Sequence, residues 1–233
     1  MKLTKTVKYH YTLTEETLEK DIESFIKEAR KGRYSWDYKY NSEGLKIIKQ
    51  YFRILEEKFK NKEYEECKIC YEKLIIFLFD ASRGDDKSDF GYEDLISKIS
   101  DEFDNYISNY FICLVKNCET EELAEKVSLY ASKLKDYGFD SDVKILVENL
   151  DKLQLDNLET RILIKTEGIT KKDDAKKDIL FFLLSIVKER KQKEKYLELC
   201  NRFKGEPKNK VLNFLSIIYI LPRDIVDNCL KIY

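Results

Sequence analysis

The chain reads as an all-α protein, with antiparallel helical hairpins stacked as an irregular α-solenoid. Three observations predict this. Only 7 Gly and 2 Pro occur in 233 residues, too few for the tight turns that sheets need. From Thr14 onward apolar residues recur every three or four positions, the helical period. The stretches between periodic runs are short and polar, so successive helices are expected to be antiparallel neighbours whose apolar stripes are buried only by stacking.

Composition sets the outer limits. A hydrophobic fraction of 43% suffices for a real core, and 43 Lys and Arg against 44 Asp and Glu leave a formal net charge of −1. That balance gives no global attraction to nucleic acid or anionic lipid. No run reaches the ~18 uninterrupted apolar residues of a membrane span, so residues 179–187 and 211–221 read as buried helices. Met1-Lys2-Leu3-Thr4-Lys5-Thr6 is followed by no apolar run, so no signal peptide is expected. The expectation is a cytoplasmic protein with its 6 cysteines reduced.

The elements follow in order. Leu3, Val7, Tyr9, Tyr11 and Leu13 alternate weakly, so residues 1–13 read as an N-terminal arm with strand character. Residues 14–233 read as one helical-repeat-like domain, with a sub-boundary near 151–169 where the period weakens. Leu18, Ile22, Phe25, Ile26 and Ala29 mark a first helix ending near Gly32. Ile48 to Phe59 and Tyr64 to Leu78 mark a hairpin, and Leu95 to Leu114 one long helix. Leu123 to Leu134 follow, then a short helix through Val143 and Leu150 capped by Asp140. Leu158 and Ile162 belong to a short helix inside the uncertain stretch. Thr170 and Asp173 read as a capping box for a helix through Val187. Tyr196 to Phe203 form a small helix, and Pro207 and Pro222 open two last helices over about 207–220 and 222–232.

Lys60-Asn61-Lys62-Glu63-Tyr64-Glu65-Glu66-Cys67, with Cys67 at the small-residue position and Tyr71 at the next aromatic one, resembles the turn of a tetratricopeptide hairpin. Leu55 stands where that repeat has a small residue, and no 34-residue period recurs. A wider resemblance covers about 25–112. Trp36-Asp37-Tyr38 precedes the hairpin and Asp85-Asp86-Lys87-Ser88-Asp89-Phe90-Gly91 follows it. This is similar to the helical region that accompanies SWIM-type zinc fingers. The finger's Cys-x-Cys and Cys-x-His are absent, and the one histidine is His10. The resemblance therefore implies the helical part alone, without the finger's nucleic-acid binding.

Four constellations have residue types that can carry chemistry. Cys67 and Cys70 form a C-x-x-C, with Cys113 and Cys118 further on. Four thiolates can hold zinc, but the first two fall on an apolar helical stripe, where cysteine acts as a small hydrophobe. The acidic segment around Asp85, Asp86 and Asp89 suits a turn and helix cap, or a cation or basic partner. It fails the EF-hand template: counted from Asp85 the sixth position is Phe90 and the twelfth Ile96. Tyr34, Trp36 and Tyr38, with Arg33 and Lys39, can anchor the connector or grip a peptide or bases. Residues 171–210 hold 13 Lys or Arg against 7 Asp or Glu, either a solvated face or a basic patch.

No Gly-rich phosphate loop, nucleophile elbow or H-E-x-x-H occurs. The expectation is a non-catalytic helical scaffold or protein-interaction module, without cofactor, whose partner is another protein. Candidate partner-binding residues are Tyr34, Trp36, Tyr38, Asp85, Asp86 and Asp89. The alternatives are a nucleic-acid-associated accessory protein using 171–210, with weak binding, and a metal-binding protein using the cysteines or residues 84–94.

Overall fold

Residues 15–35, 41–82, 90, 95–135, 143–167 and 173–201 are described by the computed structural model. Among them there are ten α-helices and no strand, so the all-α class holds. The N-terminal arm and the helices expected over 207–220 and 222–232 lie outside the described residues.

Helix α1 (Leu18–Arg30) starts at Thr17, whose hydroxyl accepts from the Lys20 amide at 3.3 Å. Its buried stripe is Leu18, Ile22, Phe25 and Ala29. Helices α2 (Asn41–Lys60) and α3 (Tyr64–Ser82) make the expected hairpin. Three of the described helices end in the same way. Gly32, Lys62 and Lys191 each take a left-handed backbone, with φ of 87°, 65° and 59°. At each, that residue's amide and the next one's bond back to the last helical turn, as at Lys62 to Phe59 and Glu63 to Lys58. Only α1 uses glycine there.

The run from Leu95 to Leu114 is not one helix. It divides into α4 (Leu95–Ile99) and α5 (Phe103–Asn117). Ser100 Oγ accepts from the Glu102 amide at 3.0 Å, and Asn105 donates to the Glu102 carboxylate at 3.0 Å. These local side-chain bonds compete with the helical ladder and restart it. Then come α6 (Thr120–Lys135) and α7 (Val143–Asn149). Helix α8 (Lys152–Lys165) fills the stretch whose period is weak. It opens with a capping box in which Asp151 and Gln154 satisfy each other's amides at 2.8 and 2.9 Å. Helix α9 (Asp174–Glu189) begins later than the Thr170–Asp173 reading, and Asp173 makes no side-chain cap bond. Helix α10 (Lys193–Asn201) is the last described element.

Two helices organise the packing. Helix α3 carries Cys67, Cys70, Tyr71, Leu74, Ile75, Phe77, Leu78 and Phe79 into the core and packs on α1, α2, α4 and α5. A helix apolar on most sides must be surrounded. Helix α9 plays the same part for α6, α7, α8 and α10.

Ion pairs between helices give their directions. Lys73 bonds Glu19 at 2.8 Å and also Glu23, and Arg30 lies 3.9 Å from Asp80. Between α3 and α6, Lys68–Glu122, Glu72–Lys126 and Asp80–Lys133 close at 3.4, 2.6 and 2.7 Å. Their sequence separations are 54, 54 and 53. A constant separation means that the two helices run the same way. Glu121–Arg161 and Glu125–Lys165, at 2.9 and 3.3 Å, do the same for α6 and α8. Helices α1, α3, α6 and α8 are therefore co-directional and joined sideways by ion pairs.

Candidate functional site

Of the residues that the sequence nominates for partner binding, Tyr34 lies within the described set. Its ring is buried, stacked on Phe25 at 4.9 Å and on Phe90 at 6.5 Å, with the Arg33 guanidinium 5.6 Å from its centre. This is the anchoring geometry for the connector. Phe90 folds back onto the helices, edge-on to Phe77 at 6.2 Å. Gly44 of α2 has no room for a side chain there: a Cβ would lie 2.7 Å from the Phe90 ring and 2.8 Å from Tyr34. Trp36, Tyr38, Asp85, Asp86 and Asp89 lie outside the described residues, as does any cap that Asp89 makes.

The cysteines of α3 and α5 are packing groups. Cys67 and Cys70 are fully buried on α3 and Cys113 on α5. The Cys67 thiol donates to the Leu55 carbonyl of α2 at 3.8 Å. A hydrogen bond from Cys113 draws the Cys67 thiol below its ordinary value, and the same bond and burial push Cys113 up. Burial and the Glu66 carboxylate push Cys70 up to about 12. Burial pushes Cys118 up to about 12 against the pull of Lys68. Cys70, Cys113 and Cys118, pushed up in this way, are poor nucleophiles and poor metal ligands. Among the described residues no group of three or more His, Cys, Asp or Glu side chains is placed to hold a metal ion.

Two polar clusters lie beneath the surface. Glu72 of α3 accepts from the Tyr110 hydroxyl at 3.0 Å and from Lys126 at 2.6 Å, and its backbone carbonyl accepts from Tyr130 at 3.3 Å. Burial, then the nearby hydroxyl and carboxylate, push Tyr110 well up, and burial does the same to Tyr130. Glu159 of α8 is ion-paired to Arg190 and Lys195, and Arg190 also reaches Asp156 at 2.8 Å. These clusters are neutralised by their own members. They clamp helices together. The second also commits two cations of the basic tract to Glu159, the Arg190 side chain buried and Lys195 partly exposed.

The outer face of α8 is different. Leu153 and Ile164 are 70% and 57% exposed. They stand on one line of the helix with Asn157 and Thr160, also exposed, because 11 residues make three turns within about 20°. The buried Leu155, Leu158 and Ile162 lie on the opposite side. Arg161 and Lys165 flank the line toward α6, where Glu121 and Glu125 hold them. The line is thus uncharged on a chain in which 37% of residues are charged. The sequence did carry a signal for it. Apolar residues stand at 153, 155, 158, 162, 163 and 164, more than one helical face can bury, and 153 and 164 fall off the inner stripe. No family model, no curated protein and no solved structure matches the chain.

Proposed function

We propose that the chain is a non-catalytic helical scaffold of the cytoplasm, a tetratricopeptide-like stack akin to the helical region that accompanies SWIM-type zinc fingers, and that it binds a protein through the outer face of α8. One observation carries this reading: the line Leu153–Asn157–Thr160–Ile164, exposed, uncharged and opposite the buried side of its own helix. Co-directional helices held sideways by ion pairs suit a rigid platform for such a face. The nucleic-acid alternative is weaker, because Arg190 and Lys195 of the basic tract are spent on Glu159.

The test is a photo-reactive residue in place of Asn157 in the full chain, illuminated in cells. The expected result is one discrete protein adduct that Leu153→Ser or Ile164→Ser removes. No adduct, or one indifferent to both substitutions, would overturn the proposal.

A further inference from the structure

We infer that the outer face of α8 pairs with the same face of a second copy of this chain, the two helices antiparallel about a two-fold axis between Leu158 and Glu159. This rests on the reading of that face as an interaction surface and names its occupant.

The arrangement of the line carries the inference. Leu153 and Ile164 stand equally far from that midpoint, one on each side, and so do Asn157 and Thr160. A two-fold axis there sets each Leu153 against Ile164 of the second copy. It also sets each Asn157 amide beside a Thr160 hydroxyl. Apolar ends meet apolar ends, and a donor–acceptor amide meets a hydroxyl that can accept, as an isologous contact requires.

Charge chooses the orientation. Lys152 opens α8 and Glu167 follows its C-cap Thr166; both are exposed, one beyond each end of the line. Antiparallel pairing brings Lys152 of one copy within about 3 Å, measured along the axis, of Glu167 of the other, twice over. Parallel pairing would put both lysines at one end and both glutamates at the other, on opposite flanks of the pair, and would form no such contacts. The other flank arrives already neutral, since Arg161 and Lys165 hold Glu121 and Glu125. One helical face is smaller than the roughly 800 Å² per partner of a standard interface. The pair is therefore weak and reversible, with a dissociation constant on the order of 100 µM.

Sedimentation of the full chain from about 10 µM to about 1 mM tests this across the expected constant. The dimer fraction should rise over that range. Leu153→Ser or Ile164→Ser should weaken association about tenfold or more, with the helical circular dichroism unchanged. Lys152→Glu should weaken it, and adding Glu167→Lys should restore it. In an equimolar mixture of Asn157→Cys and Thr160→Cys chains, the mapped disulfide should join 157 to 160; bridges joining like positions would contradict the antiparallel geometry. A monomer throughout, or a dimer indifferent to these substitutions, would overturn the pairing. If the photo-adduct at position 157 then contains a different protein, the surface reading stands while self-pairing fails. If no adduct forms either, both fail.

Discussion

Asp21 in α1 and Glu159 in α8 are buried to the same degree, each 1% exposed, yet their surroundings answer them differently. Asp21 accepts from the Glu15 amide at 3.1 Å and the Tyr51 hydroxyl at 2.8 Å. Around it the core is aromatic: Phe25 packs edge-on to both Tyr51 and Phe77, at 5.7 and 6.1 Å. Glu159 is met by two cations, Arg190 at the end of α9 and Lys195 in α10. There the core is largely aliphatic, with Leu158, Ile162, Leu180, Leu183, Ile186 and Val187. Aromatic hydroxyls bring donors into a core without bringing charge. Aliphatic side chains have none to offer, so the donors come from outside as charges, with a larger desolvation cost.

That difference can be tested by breaking each site. Glu159→Ala is expected to have the largest effect, a loss of about 3–5 kcal/mol, because it takes the buried carboxylate from Arg190 and leaves it only the half-exposed Asp156. Urea unfolding would measure it. The sharper version replaces both partners. Glu159→Met with Arg190→Met should fall within about 1 kcal/mol of the parent or above it. A double variant as unstable as the single one would show that the pair itself carries the stability.

Alkaline pH should act on the aromatic region first. Burial holds Tyr71, Tyr110 and Tyr130 above their ordinary values, and moves Cys70 from 9.0 to about 12. For each, the folded pKa exceeds the unfolded one. The stability contributed is complete below the unfolded value and is lost as pH climbs toward the folded value. The urea midpoint should therefore be level near pH 7–8 and fall above about pH 9. Hydrogen exchange should show α3 and α5 losing protection before α9. Simultaneous loss in both regions would mean that they unfold as one unit.

Tyr51→Phe should cost about 1.5–3 kcal/mol, since it strips a donor from a buried carboxylate without opening a cavity. A loss below about 0.5 kcal/mol would show that another donor takes its place. The smallest effects belong to the helix ends. Lys62 and Lys191 hold a backbone conformation that costs a residue with a side chain about 1 kcal/mol or more. Lys62→Gly and Lys191→Gly should each raise stability by about 0.5–1 kcal/mol, read as a higher urea midpoint. The gain at 62 should be the smaller, because Lys58, Glu63 and Glu66 already tie that turn together at 2.7 and 2.6 Å.

The helices were legible where one apolar stripe and one stop signal coincide. Helix α1 is the clear case, with Leu18, Ile22, Phe25 and Ala29 followed by Gly32. The reading failed where local polar chemistry overrides periodicity. Ser100, Glu102 and Asn105 break a run whose apolar period continues across them. The Asp151–Gln154 capping box stands in the sequence, but Leu153 and Ile164 blur the period of the helix behind it. The outer line on that helix was obscured for the same reason. An apolar residue off the inner stripe looks like noise until the helix is placed. Nor does any local pattern pair Glu159 with Arg190, 31 residues away, since only the packing of α8 on α9 brings them together.

The shared direction of α1, α3, α6 and α8 has an electrical consequence. Each helix carries a macrodipole worth roughly half a positive charge at its N-terminus, and here four of them add with the same sense. The first turns hold Glu19 and Asp21, Glu65 and Glu66, Glu121 and Glu122, and Asp151 caps α8. Seven carboxylates thus face the positive ends of four helices. Several of them also meet a cation: Glu19 meets Lys73, Glu66 Lys58, Glu121 Arg161 and Glu122 Lys68. A cationic ligand drifting toward one of these helix starts would meet a potential much shallower than the tally of carboxylates suggests.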